Sequence, residues 1–180
     1  MQTGTGDGAV NETRLQFRGR VWTFGDNVPT DAIVPSHLVL RPLAEIVPKV
    51  LADLNSEFPN ECNPGDIIVA GRHFGQSSGR TIASRALKAT GVGCIIAESF
   101  ARTFLRNCFE IGLPILESPG IADWVEDGDE VTVDIPSGMV INVSRGKRFE
   151  VSPPDPYLLE MLRCGGLLSF IRNNMNDWTR

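Results

Sequence analysis

Two short, wholly apolar runs, Ile67-Ile68-Val69-Ala70 and Cys94-Ile95-Ile96-Ala97, constrain the fold of this chain more than any other feature. A strand that is apolar at every position must be covered on both faces, which is the condition of a buried sheet in an α/β domain. Between the runs, Thr81 to Thr90 has helical character and stops at Gly91. The unit therefore reads as βαβ, with a right-handed crossover. The stretch that joins the first strand to the helix is Gly75-Gln76-Ser77-Ser78-Gly79-Arg80. It brings free backbone N–H groups, two hydroxyls and an arginine to the start of a helix, a natural site for an anion. A serine there can also do chemistry if its proton has somewhere to go.

The flanking segments complete one domain. Leu15 to Phe24 alternates as a strand, broken at Arg18-Gly19-Arg20, and runs into the turn cluster Gly25-Asp26-Asn27-Val28-Pro29-Thr30-Asp31. Ile33-Val34-Pro35 resumes an extended path. From Pro42 to Phe58, Leu43, Ile46, Val47, Val50, Leu51 and Leu54 recur at helical spacing, interrupted by Pro48. Asn60 to Gly65 reads as a loop, Ser99 to Asn107 as a helix and Leu113 to Leu116 as another short strand. Beyond Asp123 the pattern turns to β: Val131–Ile135 and Met139–Val143 flank a hairpin turn at Pro136-Ser137-Gly138, and Arg148–Val151 adds a third strand. Pro156 to Leu162 opens a final helix, punctuated by Gly165-Gly166 and resuming toward Asn173. The expectation is a polar tail over 1–13, then a single compact α/β domain over 14–180.

Composition narrows the function. The chain has 180 residues, enough for one core but not for two large domains. A net charge of −5 without a basic stripe argues against a nucleic-acid partner. No apolar run approaches a membrane span, and Met1–Thr13 has no apolar stretch of the kind a signal peptide needs. Cys62, Cys94, Cys108 and Cys164 are widely spaced, with no C-x-x-C, so they indicate neither a disulfide framework nor a metal site. They read as thiols of a reducing cytoplasm.

Two nucleotide-binding motifs fail. A P-loop needs four residues between its glycines and then Lys, whereas Gly75 and Gly79 have three between them, followed by Arg80. Gly91-Val92-Gly93 lacks the third glycine of the dinucleotide fingerprint and precedes a strand. A wider pattern does match. Gly25-Asp26-Asn27-Val28-Pro29-Thr30-Asp31 with Ile33-Val34-Pro35 resembles the G-D-N-I-x-T-D-x-I-I-P signature of the aconitase-superfamily swivel domain. It resembles more closely the small subunit of the two-subunit 3-isopropylmalate dehydratase and homoaconitase group. Pro64 to Gly71 matches P-G-D-I-I-V-A-G in that group. Ala97-Glu98-Ser99-Phe100-Ala101-Arg102 and Asn107 through Gly112-Leu113-Pro114 match its A-x-S-F-A-R-x-F-x-R-N-x-x-x-x-G-L-P. Gly165-Gly166-Leu167 also fits, so the resemblance runs from about Val21 to Arg172. It implies a swivelling β/β/α domain.

The central turn departs from the family's C-G-S-S-R-E-H-A. Aligned without a gap, the family's first serine falls on Ser78 and its arginine on Arg80, the second serine becomes Gly79, and Glu-His becomes Thr81-Ile82. The resemblance implies that Ser78 is the catalytic base and that Arg80 holds a carboxylate; Ser77 and Gly79, in the same turn, are expected to join them at the substrate. That chemistry suits the residues. Dehydrating a hydroxy acid removes a weakly acidic proton next to a carboxylate, and a serine alkoxide serves only where dipoles stabilise it. Arg80 can grip the carboxylate through two parallel hydrogen bonds. The leaving hydroxyl needs a Lewis acid. The resemblance implies that this is a 4Fe-4S cluster held by a separate large subunit, the partner of this chain, with a small di- or tricarboxylate as substrate.

Each residue also has a plainer reading. A Ser/Gly turn before a helix is commonly an N-cap, and Asp26 and Asp31 are by default Asx-turn residues. The family places a functional carboxylate at Asp31. His37 and His73, the two histidines, have no spaced partner, although His73 sits near the turn. Arg102 and Arg106 share one helical face, and the resemblance makes Arg102 a structural or rim residue. In the family, the loop Ser36-His37-Leu38-Val39-Leu40-Arg41 chooses the substrate's side group. Leu38 and Leu40 there favour an alkyl group, as in isopropylmalate, whereas a swing of Arg41 favours an extra carboxylate. Two functions stay open: the catalytic small subunit of a hydro-lyase, acting on isopropylmalate or on another substituted malate of the dimethylmalate, homoaconitate or methylcitrate type, or a non-catalytic swivel domain that binds an anion or regulates a partner.

Overall fold

The structure, a computed structural model, describes residues 15–175. The expected tail at 1–13 lies outside the described residues. Seven strands form one mixed sheet: β1 (Gln16–Phe24), β2 (Ile67–Ala70), β3 (Cys94–Ala97), β4 (Ile115–Glu117), β5 (Glu130–Asp134), β6 (Met139–Asn142) and β7 (Lys147–Glu150). Their order across the sheet is β4-β3-β2-β1-β5-β6-β7. The half that contains β2, β3 and β4 is parallel, and every residue of β2 and β3 is buried. The half that contains β5, β6 and β7 is an antiparallel meander, in which β5 alternates buried and half-buried positions.

β1 joins the halves. Arg18-Gly19-Arg20 does not break it as expected, but marks the place where it changes partner. Gln16–Arg20 pairs antiparallel with β5, and Val21–Phe24 pairs parallel with β2. Gly19 is there because the chain passes so close that a Cβ would sit 2.7 Å from the Gly65 carbonyl oxygen. The changeover is anchored by Asp66, a buried carboxylate at the head of β2. It accepts hydrogen bonds from the Arg20 N–H (3.0 Å), the Asn63 N–H (2.9 Å) and the indole Nε1–H of buried Trp22 (3.0 Å). Three donors offset the cost of taking a carboxylate out of water.

The βαβ expectation holds. α4 (Ile82–Thr90) links β2 to β3 and ends at Gly91, whose φ of +91° closes the helix. It packs against α5 (Arg102–Ile111), which in turn meets α6 (Pro156–Arg163) and α7 (Leu167–Asn174). The segment 42–58 differs from expectation. Instead of one interrupted helix it holds α2 (Leu43–Ile46), a 3-10 turn at Val47–Lys49 and a bend at Leu51, with α3 (Phe58–Glu61) beyond. Pro48 lacks the N–H that would continue the ladder. The apolar spacing still reports the core, since Ile46, Val50 and Leu51 are fully buried while Leu54 is half exposed. α5 starts later than Ser99 because Phe100 stays extended, pairing with Phe74 and donating its N–H to Glu117 (3.1 Å). Ahead of α2, Thr30–Ile33 forms a single helical turn, α1, in place of the extended path expected at Ile33.

Candidate active site

Three turns leave the carboxyl ends of the parallel strands together, where open α/β sheets place their ligands. The turn after β1 and the turn after β2 are sewn to each other by main-chain and side-chain bonds. Asn27 N–H donates to the Arg72 carbonyl (2.7 Å), Gly75 N–H to the Val28 carbonyl (2.8 Å) and Thr30 N–H to the Gln76 carbonyl (2.8 Å). The Asp26 carboxylate accepts from Arg72 N–H (2.7 Å), and the Gln76 side-chain amide donates to the Asn27 carbonyl (3.0 Å). Asp26 is thus a brace between the turns. The turn after β3 joins through Phe74 and His73, whose N–H groups reach the Ser99 carbonyl (3.1 Å) and hydroxyl (3.0 Å).

From behind, α5 grips the Gly75–Arg80 segment. Gly75 lies in the left-handed region (φ +80°), pressed on the fully buried Phe104 ring so closely that a Cβ would fall 2.2 Å from its Cγ. Phe104 is itself locked edge-on against Phe74, with ring centroids 5.5 Å apart. One turn further along α5, the buried Asn107 amide donates to the Gly79 carbonyl (3.2 Å). Inside the segment, Arg80 N–H donates to Ser78 Oγ (3.2 Å). The backbone of the turn is therefore held at both ends, while Ser77, Ser78 and Arg80 face outward.

They face an open cavity of about 290 Å³. Its polar side is formed by Asp31, Ser36, Ser77, Ser78 and Arg80, with Thr30 at its base. Its apolar side is formed by Val34, Val39 and Ile82. Neither Arg80 nor Asp31 has an ion-pair partner among the described residues. α4 begins next to the cavity with no side chain capping its first turn, so its N-terminal dipole is open to a bound anion.

Sequence reasoning placed Ser77, Ser78, Arg80 and Asp31 in one site, and the structure brings these four together. It places Gly79 behind the cavity, with its carbonyl on Asn107 and room for a Cβ limited by Thr103, whose Cγ2 would lie 3.2 Å from it. The side-group loop is arranged differently from the expectation. Val39 and Ser36 line the cavity, Leu38 lines a separate depression with His37, Leu40 is 96% exposed, and Arg41 is paired with Glu45 (2.9 Å). His73 is not among the lining residues, and Arg102 and Arg106 lie exposed on α5. Asn107 was missed. Beyond its place in the family motif, its signal is a polar residue on the buried face of an amphipathic helix, where an amide must find a partner.

Metal chemistry finds no donors here. No group of three or more His, Cys, Asp or Glu is placed to hold a metal ion among the described residues, so they do not fit an iron–sulfur cluster. Burial pushes the Cys94 and Cys108 thiols far above the usual range, and the half-buried Cys62, next to Asp66, up to about 11. No helix among the described residues is long and apolar enough to cross a membrane.

Comparison with known proteins follows from this geometry. Residues 52–119, which include β2, the Gly75–Arg80 turn, α4, β3 and α5, match the aconitase C-terminal domain. The 3-isopropylmalate dehydratase small subunit of Thermodesulfovibrio yellowstonii is 43% identical over 163 residues, covering 90% of this chain and 97% of that protein. The isopropylmalate/citramalate isomerase small subunit of Methanocaldococcus jannaschii is 41% identical over 165 residues, covering 91% and 98%. A crystal structure of a 3-isopropylmalate dehydratase from Methanocaldococcus jannaschii superposes with a TM-score of 0.85 at 32% identity, over 91% of this chain and 98% of that one.

Proposed function

The chain belongs to the family of 3-isopropylmalate dehydratase small subunits, hydro-lyases of the aconitase type, and from that premise we propose that it supplies the base and the carboxylate grip for dehydrating a substituted malate. Ser78 takes the proton from the carbon next to a carboxylate, and Arg80 holds that carboxylate. The observation that carries this reading is the pairing of the two on one cavity wall, with the Arg80 N–H donating to Ser78 Oγ. A donor already aimed at the oxygen lowers the cost of an alkoxide there, and the open start of α4 adds a positive field. Substrate binding excludes water from the mouth of the cavity and strengthens both effects.

The apolar wall of Val34, Val39 and Ile82 takes the side group of the substrate, which favours a short alkyl arm over an additional carboxylate. 3-Isopropylmalate, as in leucine biosynthesis, and the smaller citramalate fit that description. Homoaconitate- or methylcitrate-type acids bring a charge that the wall leaves unpaired. Asp31, on the polar side with Arg80, accepts a hydrogen bond from a substrate hydroxyl. The Lewis acid that assists departure of the hydroxyl comes from a large subunit, the partner to which the small-subunit names of the relatives refer; we assign a 4Fe-4S cluster to that partner. Four free thiols suit a reducing cytoplasm.

The test uses the complex with its large subunit, purified without oxygen. Ser78→Ala should lower kcat by about 10²–10⁴-fold with KM little changed, the signature of a lost proton-transfer group. Arg80→Gln should raise KM steeply. A Ser78→Ala complex that turns over at the parental rate would leave only the anion-binding, regulatory reading of this site.

A further inference from the structure

Four residues other than glycine hold a left-handed backbone among the described residues: Asn27 (φ +58°), Leu51 (+56°), His73 (+57°) and Ser77 (+86°). An L-residue in that region presses its Cβ on the following carbonyl, so each position must be compensated. At Asn27 the compensation is visible: its N–H and its carbonyl are both bonded across the two turns. At Leu51 the side chain is fully buried and the N–H reaches the Ile33 carbonyl (3.1 Å). At His73 the N–H bonds the Ser99 hydroxyl (3.0 Å). Asparagine and histidine also tolerate the region better than most residues.

Ser77 has none of these. Among the described residues neither its backbone nor its hydroxyl makes a hydrogen bond, its side chain is exposed, and a glycine would adopt its backbone without strain. Its hydroxyl stands on the polar side of the cavity with Ser78 and Arg80.

We propose that Ser77 is a substrate-contacting residue whose hydroxyl donates to the carboxylate held by Arg80, so that the strain at this position is compensated only when substrate is bound. The inference rests on the assignment of the cavity as a carboxylate site. The Arg80 N–H engages Ser78 Oγ, whereas the Ser77 hydroxyl on the same cavity has no partner among the described residues. The two serines then divide the work: Ser78 moves the proton and Ser77 binds. As the carbon loses its proton, negative charge builds on the same carboxylate, and a neutral donor placed there binds the transition state at least as well as the ground state.

Two substitutions separate strain from contact. Ser77→Gly removes both the strain and the hydroxyl, whereas Ser77→Ala removes the hydroxyl alone. In the complex with the large subunit, both should lower kcat/KM by about 10–100-fold, the worth of one hydrogen bond to a charged group, with KM taking a share of the loss. In urea unfolding of the small subunit, Ser77→Gly should raise the midpoint and Ser77→Ala should leave it unchanged. Stabilisation accompanied by lost substrate affinity is the signature, because a purely structural serine would not produce both.

Values of kcat/KM within about twofold of the parent for both variants would overturn the inference, given the 10-fold minimum expected of a charged hydrogen bond. So would a Ser77→Ala complex that loses kcat as completely as Ser78→Ala while keeping its KM, since Ser77 would then be a base. Ser78→Ala serves as the control: if it retains parental turnover, the catalytic reading of the whole site fails, and if it is inactive while the Ser77 variants are unimpaired, only the role of Ser77 falls.

Discussion

Gly75→Ala tests whether the active turn is held by packing against α5. Gly75 has a φ of +80°, and an added Cβ would lie 2.2 Å from Phe104 Cγ and 2.6 Å from its Cβ and Cδ1. Phe104 cannot swing away, because it is fully buried between Phe74 and Phe100, at centroid distances of 5.5 and 6.2 Å. Two costs add. The left-handed backbone with a Cβ costs about 1–2 kcal/mol, and forcing a methyl into a packed core costs about 1–3 kcal/mol. The expected destabilisation is about 2–5 kcal/mol. Urea unfolding followed by the fluorescence of buried Trp22 reads it. With a slope of about 2 kcal/mol per M, the midpoint should fall by about 1–2.5 M. Phe104→Leu provides the internal check, since a smaller side chain leaves room for the new methyl. In a double-mutant cycle the pair should cost less than the sum of the single changes, with a coupling of about 1–2 kcal/mol. A loss under about 0.5 kcal/mol for Gly75→Ala, within the ordinary range of surface changes, or strict additivity with Phe104→Leu, would refute the clamp.

Other consequences are equally direct. Burial works to raise the Asp129 carboxyl, but the Glu126 N–H, the Asn142 amide and the Arg145 guanidinium outweigh it and hold it below its ordinary value of 3.8. Its stabilising contribution is therefore full above about pH 4 and is lost as pH falls through the lower folded-state value, so Asp129→Asn should flatten the acid limb of a thermal-denaturation series below about pH 4. Asp66→Asn should cost about 1–3 kcal/mol, because the amide cannot accept from all three N–H groups that now meet at the carboxylate; a urea midpoint equal to the parent would show that those bonds do not secure β1 to β2. A thiol reagent at pH 8 should leave Cys94 and Cys108 unmodified until denaturant is added, since both are buried with thiols held protonated, and mass spectrometry of digested protein would detect any modification in the native state.

Much of the fold is legible in the sequence where burial and backbone demand coincide. Ile67–Ala70 and Cys94–Ala97 could only be covered strands, and Gly91 could only end a helix at their crossover. The segment 42–58 was less legible, because apolar spacing reports which residues face the core and not which backbone carries them there. Ile46, Val50 and Leu51 reach the core through a 3-10 turn and a left-handed bend. The loop 36–41 shows the same limit at finer scale. It contains a 3-10 turn at Ser36–Leu38 followed by a tight turn through Val39 and Leu40, and the three neighbours end on different surfaces: Leu38 in a separate depression, Val39 in the cavity and Leu40 in solvent. Composition alone could not say that Val39 was the one turned inward.

The site itself divides along similar lines. Ser78 and Arg80 are two residues apart in sequence and were visible as a pair, but the parts that hold them come from far along the chain. Asp26 and Asn27 brace the turn from the end of β1, and Phe104 and Asn107 grip it from α5. Such a site tolerates changes in the side chains that face the cavity so long as the backbone of the turn is kept. In this chain Gln76-Ser77-Ser78-Gly79-Arg80 sits on that frame: Gly75 meets Phe104, and the Gly79 carbonyl meets Asn107. Substituting the frame should therefore lower stability and activity together, whereas substituting Ser77, Ser78 or Arg80 should separate the two.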